Sequence, residues 1–144
     1  MPPRFDQINL VVGDMDAMAD FYRRLGVDLD ASDPEWAPHH RSKPLGDGVH
    51  IDLDSEQFAQ VWDGGWRGGT GIVLGFRVGD RDDVDRLYSE FTAAGYLGQQ
   101  PPYDAFWGAR YAIICDPDGN AVGLMSESEP GQRRPPPNPP FDNT

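Results

Sequence analysis

Gln7-Ile8-Asn9-Leu10-Val11-Val12-Gly13-Asp14, continuing through Met18, Phe21, Tyr22 and Leu25, is answered 66 residues later. The answering stretch is Val73-Leu74-Gly75-Phe76-Arg77-Val78-Gly79-Asp80, with Val84, Leu87, Tyr88 and Phe91. Apolar stands over apolar at Ile8/Leu74, Leu10/Phe76 and Val12/Val78, and Val-Gly-Asp stands over Val-Gly-Asp. Each copy passes from a period of two to a period near 3.6, which is a strand feeding a helix. A duplicated strand–helix unit implies a pseudo-symmetric domain with room for a ligand between its halves.

Working outward, residues 5–12 alternate as a strand with Ile8, Leu10 and Val12 on one face. Asp14 caps a helix over about 14–25, closed by Gly26, and Met15, Met18, Ala19, Tyr22 and Leu25 form its apolar stripe. Short strands are expected over Val27–Ala31, Glu35–Arg41 and Val49–Asp54. The second copy runs through a strand at Ile72–Val78, a helix over about 81–94 capped by Asp80, and strands at Tyr96–Gln99, Arg110–Cys115 and Ala121–Met125. Asp116-Pro117-Asp118-Gly119-Asn120 marks the turn between the last two. The fold expected is therefore α+β, two βαβββ repeats over about 5–54 and 70–127, joined by a connector at 55–69. Together they make one domain over 1–128. Residues 129–144 form a proline-rich tail expected to be disordered, since 130–144 hold six of the fourteen prolines.

Bulk properties narrow the function. At 144 residues the chain can bury a core without staples. The formal charge is −12, with Lys43 the single lysine. That balance argues against nucleic acid or an anionic membrane as partner and is compatible with a cationic ligand. No apolar run has the length of a membrane span. The N-terminus lacks an apolar signal region, and one cysteine, Cys115, makes no internal disulfide; a cytoplasmic protein is expected.

Two motifs carry a family resemblance. Trp107-Gly108-Ala109-Arg110-Tyr111 leading into Asp116-Pro117-Asp118-Gly119-Asn120 is similar to the W-G-x-x-(aromatic)…D-P-x-G-N segment of bleomycin-binding proteins. Phe21-Tyr22-Arg23-Arg24-Leu25-Gly26 is similar to their F-Y-x-x-x-L-G helix, one residue shorter. Over about residues 5–127 the chain resembles the vicinal oxygen chelate (glyoxalase/bleomycin-resistance/dioxygenase) superfamily. The resemblance implies two half-cups around a cavity, often within a homodimer that has two sites. In the family's enzymes it implies a divalent metal held from the first and last strand of each unit.

Those four positions fall on Gln7, Asp52, Val73 and Gly123. A divalent metal needs three or more converging O or N donors. Val73 and Gly123 supply none, so neither a metal nor another cofactor is expected. Strand alternation places Gln7, Asn9, His50, Asp52 and Asp54 on the inner wall, with Val73 opposite and Gly71, Gly75 and Gly123 leaving open volume there. Trp36, Phe58, Trp62, Trp66, Tyr103, Phe106 and Trp107 load the loops with rings suited to planar ligands. His39, His40 and His50 are the titratable candidates.

The expected ligand-binding set is Gln7, Asn9, Trp36, His39, His50, Asp52, Trp62, Trp66, Tyr103, Phe106, Trp107 and Gly123, with no catalytic residue. Two functions follow. One is a non-catalytic protein that gives antibiotic resistance by sequestering a small aromatic natural product of the bleomycin, mitomycin or enediyne kind. The other is a glyoxalase-like isomerase, lyase or dioxygenase with an atypical or absent metal site.

Overall fold

The computed structural model describes residues 2–29, 34–115 and 117–137. Among them run strand β1 (Arg4–Val12), helix α1 (Met15–Arg24), strands β2 (His40–Gly46) and β3 (Val49–Ser55), and helix α2 (Glu56–Trp62). Strand β4 (Gly71–Arg77), helix α3 (Arg81–Ala93) and strands β5 (Gly98–Asp104), β6 (Arg110–Cys115) and β7 (Ala121–Met125) follow. The architecture is mixed α+β. The strands form one curled sheet in the order β2-β3-β1-β4-β7-β6-β5.

The two Val-Gly-Asp turns do the same work. Asp14 accepts the Ala17 N–H at 3.0 Å and starts α1. Asp80 accepts the Asp83 N–H, and Asp83 accepts the Asp80 N–H in return, starting α3. Each helix then covers the outer face of its own half of the sheet. Under α1, Met15 and Ala19 pack on Val12, Ile51 and Leu53. Under α3, Val84 packs on Val78, Ala112, Ile114 and Leu124. A third cluster lies on the opposite, concave face, where Val11, Val73, Tyr111 and Ile113 meet Phe58 and Trp62 of α2 and Phe106.

First strand pairs with first strand at the centre of the sheet. β1 and β4 are antiparallel, while β1–β3 and β4–β7 are parallel. Asn9 pairs with Asp52, and Gly75 with Gly123. Since Asn9 and Gly75 are equivalent positions of the repeat, Asp52 and Gly123 are equivalent as well, as the family resemblance implies.

Several local expectations are corrected. Val27–Leu29 form no strand, and the rest of the expected strand, 30–31, lies outside the described residues. Glu35–Arg41 is not one strand: Pro34–Trp36 make a 3-10 turn and pairing starts only at His40. The connector 55–69 contains α2, capped by Ser55 Oγ accepting the Phe58 N–H at 3.1 Å. The strand expected at Tyr96–Gln99 runs Gly98–Asp104 and includes Pro101 and Pro102. Prolines are tolerated there because β5 is an edge strand with two register shifts. Of the proline-rich tail expected to be disordered, Glu129–Pro137 is described and part of it is packed; 138–144 lies outside the described residues. No helix among the described residues is long and apolar enough to cross a membrane.

Candidate functional site

The concave face holds a cavity of about 250 Å³, just below the usual size of a ligand pocket. Its polar side is built by three neighbouring strands. β1 supplies Gln7 and Asn9, β2 supplies His40 and Ser42, and β3 supplies His50, Asp52 and Asp54. Strand register brings them into rows: Gln7 is opposite His50, Asn9 and Ser42 flank Asp52, and His40 is opposite Asp54.

The carboxylates organise this side. Asp54 is buried and takes the Asn9 Nδ2–H at 2.7 Å on one oxygen, with His40 Nδ1 at 2.6 Å on the other. Asp52 accepts the Ser42 hydroxyl at 2.5 Å and lies 3.6 Å from His50 Nδ1. That contact with the Asp52 carboxylate holds the His50 imidazolium above the ordinary histidine range, with burial working against it. Arg77 of β4 closes this end, pairing with buried Asp6 at 3.2 Å and with Glu127 at 3.1 Å.

The other side is aromatic. Trp36, Phe58, Trp62, Phe106, Trp107 and Tyr111 line it with Met125. Their rings meet edge to face: Trp36–Phe106 at 5.5 Å, Phe58–Phe106 at 5.8 Å, Trp107–Tyr111 at 5.4 Å. Trp107 Nε1–H donates to Met125 Sδ at 3.3 Å. Burial raises the Tyr111 phenol well above its ordinary range, so it stays neutral and protonated.

Three buried polar atoms lack a partner among the described residues: Asn9 Oδ1, Trp62 Nε1 and Arg77 Nε. All three belong to residues lining this cavity. The Asn9 amide cannot be turned to relieve its oxygen, because a carboxylate only accepts and Asp54 needs the Asn9 N–H. A buried unpaired polar group costs about 1–3 kcal/mol, so these atoms mark where a bound molecule would gain.

Eight of the expected ligand-binding residues line the cavity: Gln7, Asn9, Trp36, His50, Asp52, Trp62, Phe106 and Trp107. His39, Trp66, Tyr103 and Gly123 do not. His39 Nδ1 is 2.8 Å from Ser55 Oγ, and its ring stacks on Phe58 at 5.2 Å. Burial lowers its pKa. His39 and Trp66 border a separate polar pocket with Ser55, Glu56 and Gln60. Tyr103 donates its hydroxyl to the Trp62 carbonyl at 3.0 Å and serves as a strut behind the wall.

The inner glycines do not leave the open volume expected of them. A Cβ on Gly75 would sit 2.5 Å from Gln7 Cγ, and one on Gly123 would sit 2.9 Å from Tyr111 Oη. Gln7 and Tyr111 fill that space; of these three glycines, Gly71 faces nothing within 4 Å. His40, Ser42, Arg77, Tyr111, Met125 and Ser128 line the cavity outside the expected set, as do Phe58 and Asp54, which the sequence places near it without a role. For His40 and Ser42 the missed signal is Gly46-Asp47-Gly48, all three at positive φ, which turns β2 onto β3.

The chain belongs to the glyoxalase/bleomycin resistance protein/dioxygenase superfamily, whose family model matches residues 4–124. Among solved structures, it is similar to an NAD-dependent benzaldehyde dehydrogenase from Legionella pneumophila, at 17% identity and a TM-score of 0.65, covering 87% of this chain and 98% of that one. It is also similar to methylmalonyl-CoA epimerase from Mycobacterium tuberculosis, at 20% identity and a TM-score of 0.56, covering 87% and 88%. A third likeness is the Mn(II)-bound glyoxalase from Novosphingobium aromaticivorans, at 20% identity and a TM-score of 0.59. It covers 95% of this chain and 44% of that one. At these identities the likeness is one of fold. No curated protein matches the sequence.

The residues present do not fit the family's metal. Of its four positions, Val73 is an apolar core residue and Gly123 lies beneath the Tyr111 ring, leaving Gln7 and Asp52. No three His, Cys, Asp or Glu among the described residues are grouped to hold a metal ion.

Proposed function

We propose that the chain is a non-catalytic binding protein that takes a planar aromatic molecule into the cavity and confers resistance by sequestering it. The observation that carries this reading is the division of the cavity. Six aromatic side chains form one wall, a hydrogen-bonded polar ladder forms the other, and unpaired polar atoms belong to lining residues on both. An apolar pocket with a few converging polar groups binds and orients a small ligand. A cytoplasmic homodimer with two equivalent sites belongs to the same proposal, and light scattering on the purified protein tests the dimer.

The primary experiment is titration with bleomycin and mitomycin C, following tryptophan fluorescence, with mass spectrometry of the released drug. Quenching in the micromolar range or tighter, with the drug recovered intact, is the expected result. Recovery of a chemically altered drug would instead favour an isomerase, lyase or dioxygenase. One observation favours that second reading: Asn9, Asp54 and His40 form a chain in which a buried carboxylate orients an imidazole at the cavity, the arrangement of a general base.

A further inference from the structure

The segment after β7 is built against the aromatic wall. Ser128 lines the cavity, and the Glu129 N–H donates to the Gly108 carbonyl at 3.0 Å. Gly108 has φ 99°, and a Cβ there would sit 2.6 Å from the Glu129 carbonyl oxygen, so only glycine permits this approach. Pro130–Gln132 then make a 3-10 turn. The Arg134 N–H donates to the Phe106 carbonyl at 2.8 Å, and its guanidinium to the Asp104 carbonyl at 2.6 Å. Between these anchors the Arg133 guanidinium lies 4.7 Å from the centroid of the Trp36 ring.

Three hydrogen bonds tie the segment to residues 104–108 of the second unit. A cation–π contact reaches Trp36 of the first unit, whose edge-on neighbours are His40, Phe58 and Phe106. We propose that residues 128–134 form a clamp across the aromatic end of the cavity. In it, Arg133 is the positioning residue that holds Trp36 against Phe106, and its release opens the wall for a ligand to enter. The consequence for entry rests on reading the cavity as a binding site; the clamp itself does not.

The test separates the two. Acrylamide quenching is measured on ligand-free protein, and the Trp36 contribution is obtained by difference from Trp36→Phe. Loss of an exposed cation–π contact shifts a local equilibrium by about two- to fivefold. Arg133→Ala should therefore raise the open population of Trp36 by that factor. Arg133→Lys, which keeps the charge without the planar stack, should fall between. Equal quenching of Trp36 in Arg133→Ala and the parent overturns the clamp. So does an equal rise at buried Trp62, measured by difference from Trp62→Phe, because the change would then be general loosening. Bleomycin added to both proteins reports the binding reading separately. If neither is quenched, that reading falls, and the acrylamide result still decides the clamp.

Discussion

Ile8 and Leu74 are Cα partners across the antiparallel β1–β4 pair, and they are also equivalent positions of the two repeats. Only one pair of residues can satisfy both conditions, so the pseudo-twofold relation between the units passes through it. The two pairs that flank it are crossed. Gln7 faces Gly75, the equivalent of Asn9, and Asn9 faces Val73, the equivalent of Gln7. On the outer face Ile8 faces Leu74 and Leu10 faces Ile72, apolar against apolar. On the inner face the crossing sets a polar side chain against glycine or valine, and the cavity becomes one-sided.

This crossing makes Gly75 sensitive to a single methyl group. A Cβ would sit 2.5 Å from Gln7 Cγ, the inner part of that side chain, and 3.2 Å from its Cδ. Gln7 would have to leave the cavity floor. Overpacking of this kind costs about 1–3 kcal/mol. Gly75→Ala should lower the urea midpoint accordingly at an unchanged m-value, and a wild-type midpoint would refute the close fit.

What the sequence disclosed and what it withheld divide along physical lines. The two long helices and the strands at 110–115 and 121–125 carry strong periodicity and sharp caps, and were legible. The seven-residue α2 was hidden in a connector, although Phe58, Ala59 and Trp62 form its buried face. β5 was obscured by its prolines, which only an edge position allows. Within the site, residues alternating on one strand were legible, as with His50 and Asp52. Pairs made across strands, as with His40 and Asp54, depend on a register that strand composition does not state. Nor does composition show that a glycine's space is already taken, as Tyr111 takes that of Gly123.

The His50–Asp52 contact predicts a pH dependence with a definite sign. The folded-state pKa of His50 is raised above that of the unfolded chain, chiefly by the contact with Asp52. Its contribution to stability is therefore fully present below the unfolded pKa and is lost as pH rises through the folded one. In NMR titrations His50 should deprotonate above the ordinary histidine range and His39 below it. Asp52→Asn should bring His50 down while leaving His39 in place. A His50 midpoint unmoved by that change would show that Asp52 is not the cause.

Asn9 is the next point of leverage, because it ties β1 to the buried Asp54 carboxylate through a side-chain hydrogen bond of 2.7 Å. Asn9→Ala removes a donor from a buried acceptor, which costs about 1–3 kcal/mol. It also removes the unpaired Oδ1. The variant should be less stable by urea denaturation and bind the ligand less tightly. Unchanged stability would mean that water replaces the lost donor.

Trp107 and Trp66 offer the sharpest contrast in binding. Trp107 lines the cavity, stands 5.2 Å from Phe106 and 5.4 Å from Tyr111 by ring centroids, and is held by Met125. Trp66 packs behind the wall and borders the separate pocket. An aromatic anchor in contact with a ligand contributes about 2 kcal/mol or more, roughly a 30-fold change in Kd. Trp107→Ala should weaken bleomycin binding by that factor, whereas Trp66→Ala should leave it within about twofold. Calorimetric titration of both variants beside the parent checks the contrast. Equal losses would move the binding surface out of the cavity toward the α2 side, and no loss in either would remove the aromatic wall from recognition.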